Sequence, residues 1–219
     1  MNWEDSKVLT PLKRDFLKAF FQVETTFFLS GGSALGVFYL DHRRSYDLDF
    51  FSMQEVHWQA LKGQVQKIAS SIGSALETLS ASPYFQRMRL TRDDETEILD
   101  FIIEFVPQVF PEKNRFGNIV VDPLIEIGIN KICTLVHRSE LKDLIDLYFL
   151  QRDAEFDIIA NWERACTKEG GLEPAMVSYL LTQIDIDEIP HYLEKELRIN
   201  QLRTFVDEFR KKLAMMASP

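Results

Sequence analysis

Between Phe27 and Phe51 the chain reads FFLSGGSALGVFYLDHRRSYDLDFF, and the end of that stretch leaves the backbone little choice, because Asp47 and Asp49 alternate with Leu48 and Phe50. Alternation of period two marks a strand with one buried face and one polar face. It puts both carboxylates on the same side, about 6 to 7 Å apart along the chain. Two like charges at that spacing ask for a counter-charge. Either water on a half-exposed face supplies the screening, or a divalent cation does, since hard oxygen donors on adjacent same-side positions can share Mg2+.

Upstream, Gly31-Gly32-Ser33 separates a short strand expected over Thr26–Leu29 from a helical or looped stretch over Ala34–Tyr39. Glycines at a strand-to-helix corner let backbone N–H groups approach an anion, and a new helix N-terminus adds a favourable dipole. The pair can equally be a plain turn, and Ser33 can cap the helix as readily as donate to a phosphate. A phosphate-sized nest together with metal-binding carboxylates points to a nucleoside triphosphate.

The string GGSAL, then HRRSYDLDFF with its Asp-x-Asp, then KICTLVHRSELKDLIDLYFL resembles the polymerase-beta-like nucleotidyltransferase superfamily, in the branch that contains the AbiEii/AbiGii toxins. The resemblance spans roughly Phe16 to Leu150. It implies an α+β or α/β fold with a mixed β-sheet flanked by helices and a helical C-terminal appendage. It also implies transfer of a nucleoside monophosphate from an NTP to an acceptor hydroxyl with release of pyrophosphate, dependent on Mg2+ or Mn2+. On this resemblance Asp47 and Asp49 bridge two metals, and a third carboxylate on a following strand holds mainly the metal that activates the hydroxyl. Asp100 is the best match for it, with Glu104 as the alternative. Gly31, Gly32 and Ser33 grip the pyrophosphate, Arg43 matches a basic position, and Lys131 matches the family's lysine. Lys142-Asp143 and Asp146 match a Lys-Asp pair followed by an acid. The acceptor is a tRNA end, a protein or a small molecule, and an antitoxin protein is the implied partner. A catalytically silent nucleotide-binding or partner-binding regulator is the alternative reading.

Thr10-Pro11 reads as an N-cap followed by proline at the first helical position, opening a helix to about Gln22 with Leu12, Phe16, Leu17, Phe20 and Phe21 on one stripe. Arg43, Arg44 and Ser45 precede the acids, where they can orient them, reach phosphates or lie in solvent. His42 reads as a packing residue rather than a general base, and the scattered His57, His137 and His191 give no metal site. A long helix is expected over Gln54–Leu79, then strands over Tyr84–Leu90 and Glu97–Val106 joined by the charged turn Thr91–Glu95. The second strand puts Asp100 and Glu104 on one face. After a loop over Pro107–Gly117, Asn118–Val121 forms an edge strand and a helix begins near Pro123. Lys131 sits in that helix amid EIGINKICTLV, where an unpaired buried charge would be costly, so it reads as a lysine pointing back at the nucleotide phosphates, the role that the resemblance also implies. Ser139 reads as the N-cap of a helix over Leu141–Leu150. Asp143 and Asp146, three apart, can pair with Arg138, Lys142 or Lys131. Further helices are expected around 153–165, 174–182, 188–197 and 199–216, the last with a stripe of Leu202, Phe205, Val206, Phe209 and Leu213.

A chain of 219 residues with 46% hydrophobic content can bury a core for a domain over 1–150 with a helical region over 151–219. The net charge of −9 weighs against a broad duplex-binding surface but is compatible with an RNA end in a local basic cleft. Met1–Thr10 lacks the apolar core of a secretory leader, and no apolar run reaches the ~20 residues that span a bilayer. Cys133 and Cys166 form neither a disulfide framework nor a metal-spaced cluster and read as packing residues. The expected compartment is therefore the cytoplasm, without membrane attachment.

Overall fold

The computed structural model describes residues 2–24, 26–137 and 140–217. They form two compact units, Met1–Pro107 with Glu112–Pro123, and Gln108–Pro111 with Leu124–Pro219. The first carries a mixed β-sheet with flanking helices and the second is helical, so the fold is α+β. The helices expected near Pro123 and over Leu141–Leu150, placed by sequence in a domain ending at residue 150, share the second unit with the C-terminal helices.

The first unit opens with α1 (Pro11–Val23), capped by the Thr10 side chain, which accepts a hydrogen bond from the Lys13 amide at 3.1 Å. The chain then forms β1 (Phe28–Ser30), the short α2 (Gly31–Leu35), a π-helical turn over Gly36–Leu40, and β2 (Asp47–Ser52). Next come α3 (Trp58–Ser71), β3 (Ala75–Ser82), β4 (Phe85–Arg92), β5 (Glu95–Ile103), β6 (Asn114–Phe116) and β7 (Ile119–Val121). Among the described residues the strands make one sheet in the order β3-β4-β5-β2-β1-β7-β6. β2 runs parallel to β5 and β1 parallel to β7, while the remaining pairs are antiparallel. Asn118–Val121 was expected to be the edge. The edge is instead β6, because the chain turns at Gly117 and pairs Phe116 with Ile119.

The core follows from the alternation in β2, where Leu48 and Phe50 are buried while Asp47 and Asp49 on the other face are half-buried. Phe50 stacks on Phe101 of β5 with ring centroids 4.9 Å apart, and Phe20 of α1 closes on Phe50 at 4.7 Å. Phe16, Phe20, Phe50 and Phe101 have no exposed surface. Each fully buried aromatic contributes roughly 1.5 to 3 kcal/mol, and the cluster fixes the height of the strand that carries the acids.

The expected helix over Gln54–Leu79 is corrected by Gly73. Helix α3 stops at Ser71, Gly73 takes φ +70, and the Ser74 amide returns to the Ala69 carbonyl at 2.8 Å. That is a left-handed glycine stop, after which Leu76 belongs to β3. Its spacing from Ile68 and Ile72 imitates a helix without continuing one. His57 caps the other end of α3, its Nδ1 accepting from the Ala60 amide at 3.2 Å.

In the second unit α4 (Leu124–Cys133) is followed by a 3-10 turn over Thr134–Val136, α5 (Leu141–Ala154), α6 (Trp162–Lys168), α7 (Pro174–Leu180) and α8 (Ile199–Met216). The expected cap Ser139 and the possible partner Arg138 lie outside the described residues. The helix expected at 153–165 is corrected, since Glu155 turns left-handed at φ 54 and the amides of Glu155 and Phe156 both return to the Leu150 carbonyl. The helix expected at 188–197 is corrected too. Pro190 has no amide to donate and biases the residue before it toward extended backbone, which leaves a single turn from Pro190 to Leu193. The α8 stripe of Leu202, Phe205, Val206, Phe209 and Leu213 is buried. Cys133 is half-buried and Cys166 exposed, so only the first fits the packing role expected of both; burial pushes the Cys133 thiol up to about 11. Among the described residues no helix is long and apolar enough to cross a membrane.

Candidate active site

Parallel pairing of β2 with β5 puts Asp49 directly beside Asp100, and antiparallel pairing of β5 with β4 puts Arg87 beside Asp100 on the other side. Ser30 of β1 pairs with Asp49, so Ser30, Asp49, Asp100 and Arg87 form one row across four strands. Asp47, two residues before Asp49, shares its face. Asp47, Asp49 and Asp100 each offer a carboxylate oxygen, and these oxygens lie within 4.8 Å of one another. Three hard oxygen donors at that separation match the donor set of a divalent cation such as Mg2+ or Mn2+. Glu104 is not in the group. It follows the end of β5, and its Oε1 accepts the amides of Phe105 and Val106, each at 2.8 Å.

Among the acids, Asp100 is held by Arg87 and Asp47 by Ser45. Arg87 grips Asp100 with both arms of its fork, Nε to Oδ1 at 2.8 Å and Nη2 to Oδ2 at 2.6 Å. The hydrogen bond to Asp100 raises the Arg87 pKa further above its ordinary value, with added pull from the fields of Asp100, Asp47 and Asp49. Asp47 Oδ1 accepts from the Ser45 hydroxyl at 3.0 Å, and its carbonyl oxygen accepts from the Ser33 hydroxyl. Behind Ser45 stands Lys13, buried, whose Nζ donates to the Ser45 carbonyl at 2.5 Å and pairs with Glu97 at 3.0 Å. Thr10 donates to the same Glu97 at 2.6 Å. The first turn of α1 is thus wired through Lys13 and Ser45 to Asp47.

The glycine corner is packed directly on the acids. Gly31 has φ +70, and a methyl group there would sit 2.4 Å from Asp49 Oδ2; one on Gly32 would sit 2.7 Å from Arg43 Nη2 and 3.1 Å from Ser45 Oγ. Gly31 opens α2, whose preceding residue Ser30 gives it no side-chain cap. Gly73 has the same φ of +70 with nothing near its missing side chain, so the two glycines separate backbone strain from collision. Gly73→Ala is expected to cost about 1 to 2 kcal/mol of stability, the penalty of a left-handed non-glycine residue. Gly31→Ala is expected to cost that much and also to displace Asp49, lowering any activity of the site by roughly tenfold or more. Urea melts and rate measurements on the two variants check this, and equal behaviour of the pair would contradict the collision.

Arg43 is buried and donates Nη1 to the Arg44 carbonyl at 3.0 Å. His42 has no exposed surface, in keeping with packing. Lys131, Lys142 and Asp143 lie in the second unit. Lys131 Nζ is 3.1 Å from Asp143 Oδ1 and 2.6 Å from Asp146 Oδ2, all three residues being buried. Lys142 is partly exposed and pairs with Glu140 at 2.6 Å. Sequence reasoning did not single out Arg87, Lys13 or Glu97. The signal for Arg87 was present in the charged turn, since a tight connection between β4 and β5 fixes which residues face each other.

A model of the family described as nucleotidyl transferase AbiEii toxin, type IV TA system, matches residues 15–216. No curated protein matches the sequence. Among solved structures the chain is similar to a candidate nucleotidyltransferase from H. pylori, with 21% identity, a TM-score of 0.60, and 95% of this chain and 96% of that one covered. It is similar to JHP933 from Helicobacter pylori at 20% identity, with a TM-score of 0.59 and coverage of 94% and 92%. MenT4, the nucleotidyltransferase toxin Rv2826c from Mycobacterium tuberculosis H37Rv, is similar at 15% identity, with a TM-score of 0.57 and coverage of 91% and 80%. At these identities the solved structures speak for the fold.

Proposed function

The chain belongs to the nucleotidyl transferase AbiEii toxin family, and from that premise we propose that it transfers a nucleoside monophosphate from an NTP to an acceptor hydroxyl and releases pyrophosphate. The observation that carries this reading is the convergence of Asp47, Asp49 and Asp100 within 4.8 Å, directly against the glycine corner. Divalent metal held there supplies charge neutralisation on the phosphates and a lower pKa for the attacking hydroxyl. Asp47, Asp49 and Asp100 would hold it, with Asp100 facing the acceptor. Ser45 and Ser33 fix Asp47, and Arg87 fixes Asp100. The close packing of Gly31 on Asp49 leaves no side chain between the corner and the acids. The backbone amides of Gly31, Gly32 and Ser33, at the first turn of α2, are the donors proposed for the leaving pyrophosphate. No covalent nucleophile on the protein is required.

Within this reading the acceptor is an RNA end such as that of a tRNA, a protein or a small molecule. A cognate antitoxin is the partner that restrains the activity. The test incubates the protein with each NTP, labelled at the α- or at the γ-phosphate, in Mg2+ or Mn2+ with total RNA and total protein. Label from the α-position is expected to become attached to an acceptor, with none from the γ-position and none in chelator. Transfer of γ-label, or α-label transfer that persists in chelator, would overturn the proposal.

A further inference from the structure

Besides fixing Asp100, Arg87 occupies with a fixed positive charge the carboxylate assigned to metal. Its guanidinium covers both oxygens of Asp100. The side chain of Asp100 is 5% exposed and that of Arg87 44%, so the acid is fixed in the sheet while the cation reaches it from the solvent side. The neighbouring cation on that face, Arg89, is engaged with Glu77 at 3.1 Å and points its charge at β3 instead. A carboxylate offers about four lone-pair sites on two oxygens. A bidentate guanidinium takes the two in the fork, and a dication approaching the same oxygens meets both that occupancy and a like charge a few ångströms away.

Resting on the reading of the three acids as a metal site, we propose that Arg87 is an exchangeable counter-ion. It holds Asp100 in place while the site is without metal, yields an oxygen of that carboxylate when metal binds, and turns its freed donors to a phosphate of the nucleotide. Two consequences run in opposite directions. Without Arg87 the three carboxylates lose a competing cation, so bare metal binds more tightly. The nucleotide loses a bidentate phosphate donor, so it binds less well. A cross-strand ion pair with a purely structural role, whose loss also lifts a positive charge from the acids, leaves the KM for NTP unchanged. The exposed arginine can be removed without opening a cavity in the core.

The experiment measures Mn2+ binding to the nucleotide-free protein by electron paramagnetic resonance, alongside steady-state transfer, for wild type, Arg87→Gln and Arg87→Lys. Arg87→Gln is expected to bind Mn2+ about tenfold more tightly, from the loss of one unit charge in a half-exposed site, and to show a KM for NTP raised by about tenfold. Arg87→Lys, which keeps the charge and loses the fork, is expected to keep near-native Mn2+ affinity and recover only part of the KM. Mn2+ affinity in Arg87→Gln equal to or weaker than wild type, with circular dichroism unchanged, overturns the exchange. Absence of Mn2+ binding in the wild type overturns the metal reading itself, and with it this one. Normal wild-type binding with no change on mutation removes only the role of Arg87.

Discussion

Asp47→Asn is expected to abolish nucleotidyl transfer while leaving the metal-free protein at least as stable as the wild type. The carboxylate oxygens of Asp47, Asp49 and Asp100 lie within 4.8 Å of one another, where two unit charges repel by roughly 1 kcal/mol even with water-like screening. An amide at position 47 removes one of those charges. Asparagine still presents an oxygen to the Ser45 hydroxyl, which bonds Asp47 at 3.0 Å, and the backbone carbonyl that accepts from Ser33 is untouched. Without the Asp47 carboxylate the proposed metal site is expected to lose on the order of a thousandfold or more in rate, about 4 kcal/mol of transition-state stabilisation. Melting in chelator and label transfer in Mg2+ read the two halves separately. Transfer at the wild-type rate would remove the metal mechanism. A melting temperature clearly below wild type would show that the acid row is held together rather than strained by its charges.

That opposition between stability and activity is why the acid strand was legible in the sequence. Asp47 and Asp49 break the apolar run of a strand that packing alone would have filled, and the family motif surrounds them. Asp100 was legible as a strand acid. What separated it from Glu104 was register, because β5 ends at Ile103 and only Asp100 pairs with Asp49. Arg87 was legible in principle, since the turn at Asp93-Asp94 pairs Arg92 with Glu95 and carries the ladder down to Arg87 and Asp100. The pairing of Lys13 with Glu97 was not. A lysine within a helix stripe and an acid on the core side of a strand read as unrelated until α1 is laid on the sheet. The failures in element boundaries share one cause. Gly73 and Glu155 each stop a helix through backbone conformation, and at Pro190 the expected helix does not form beyond a single turn, while the apolar spacing around all three continues to read as helical.

Lys131 is where sequence reasoning and the contacts make different demands. The motif assigns it to phosphate, whereas its ammonium lies 3.1 Å from Asp143 and 2.6 Å from Asp146, with both acids fully buried. The lysine comes from α4 and the acids from α5, so the cluster joins two helices of the second unit. Removing one partner from a buried ionic cluster typically costs about 3 to 5 kcal/mol, because the charges left behind are desolvated. Lys131→Met keeps most of the volume and is expected to lower stability by about that amount. Adding Asp146→Asn takes away one of the two acids that face the missing ammonium, and the double variant is expected to be less destabilised than the sum of the two single changes. Denaturant unfolding of the three variants gives the cycle, and the KM for NTP is measured on each under conditions where it remains folded. A lysine whose main work is to bind phosphate would leave unfolding unchanged and raise KM alone. That result would displace the buried cluster as the reason for this residue, whereas strong destabilisation with the double-variant recovery identifies Lys131 as the charge on which the packing of α4 against α5 depends.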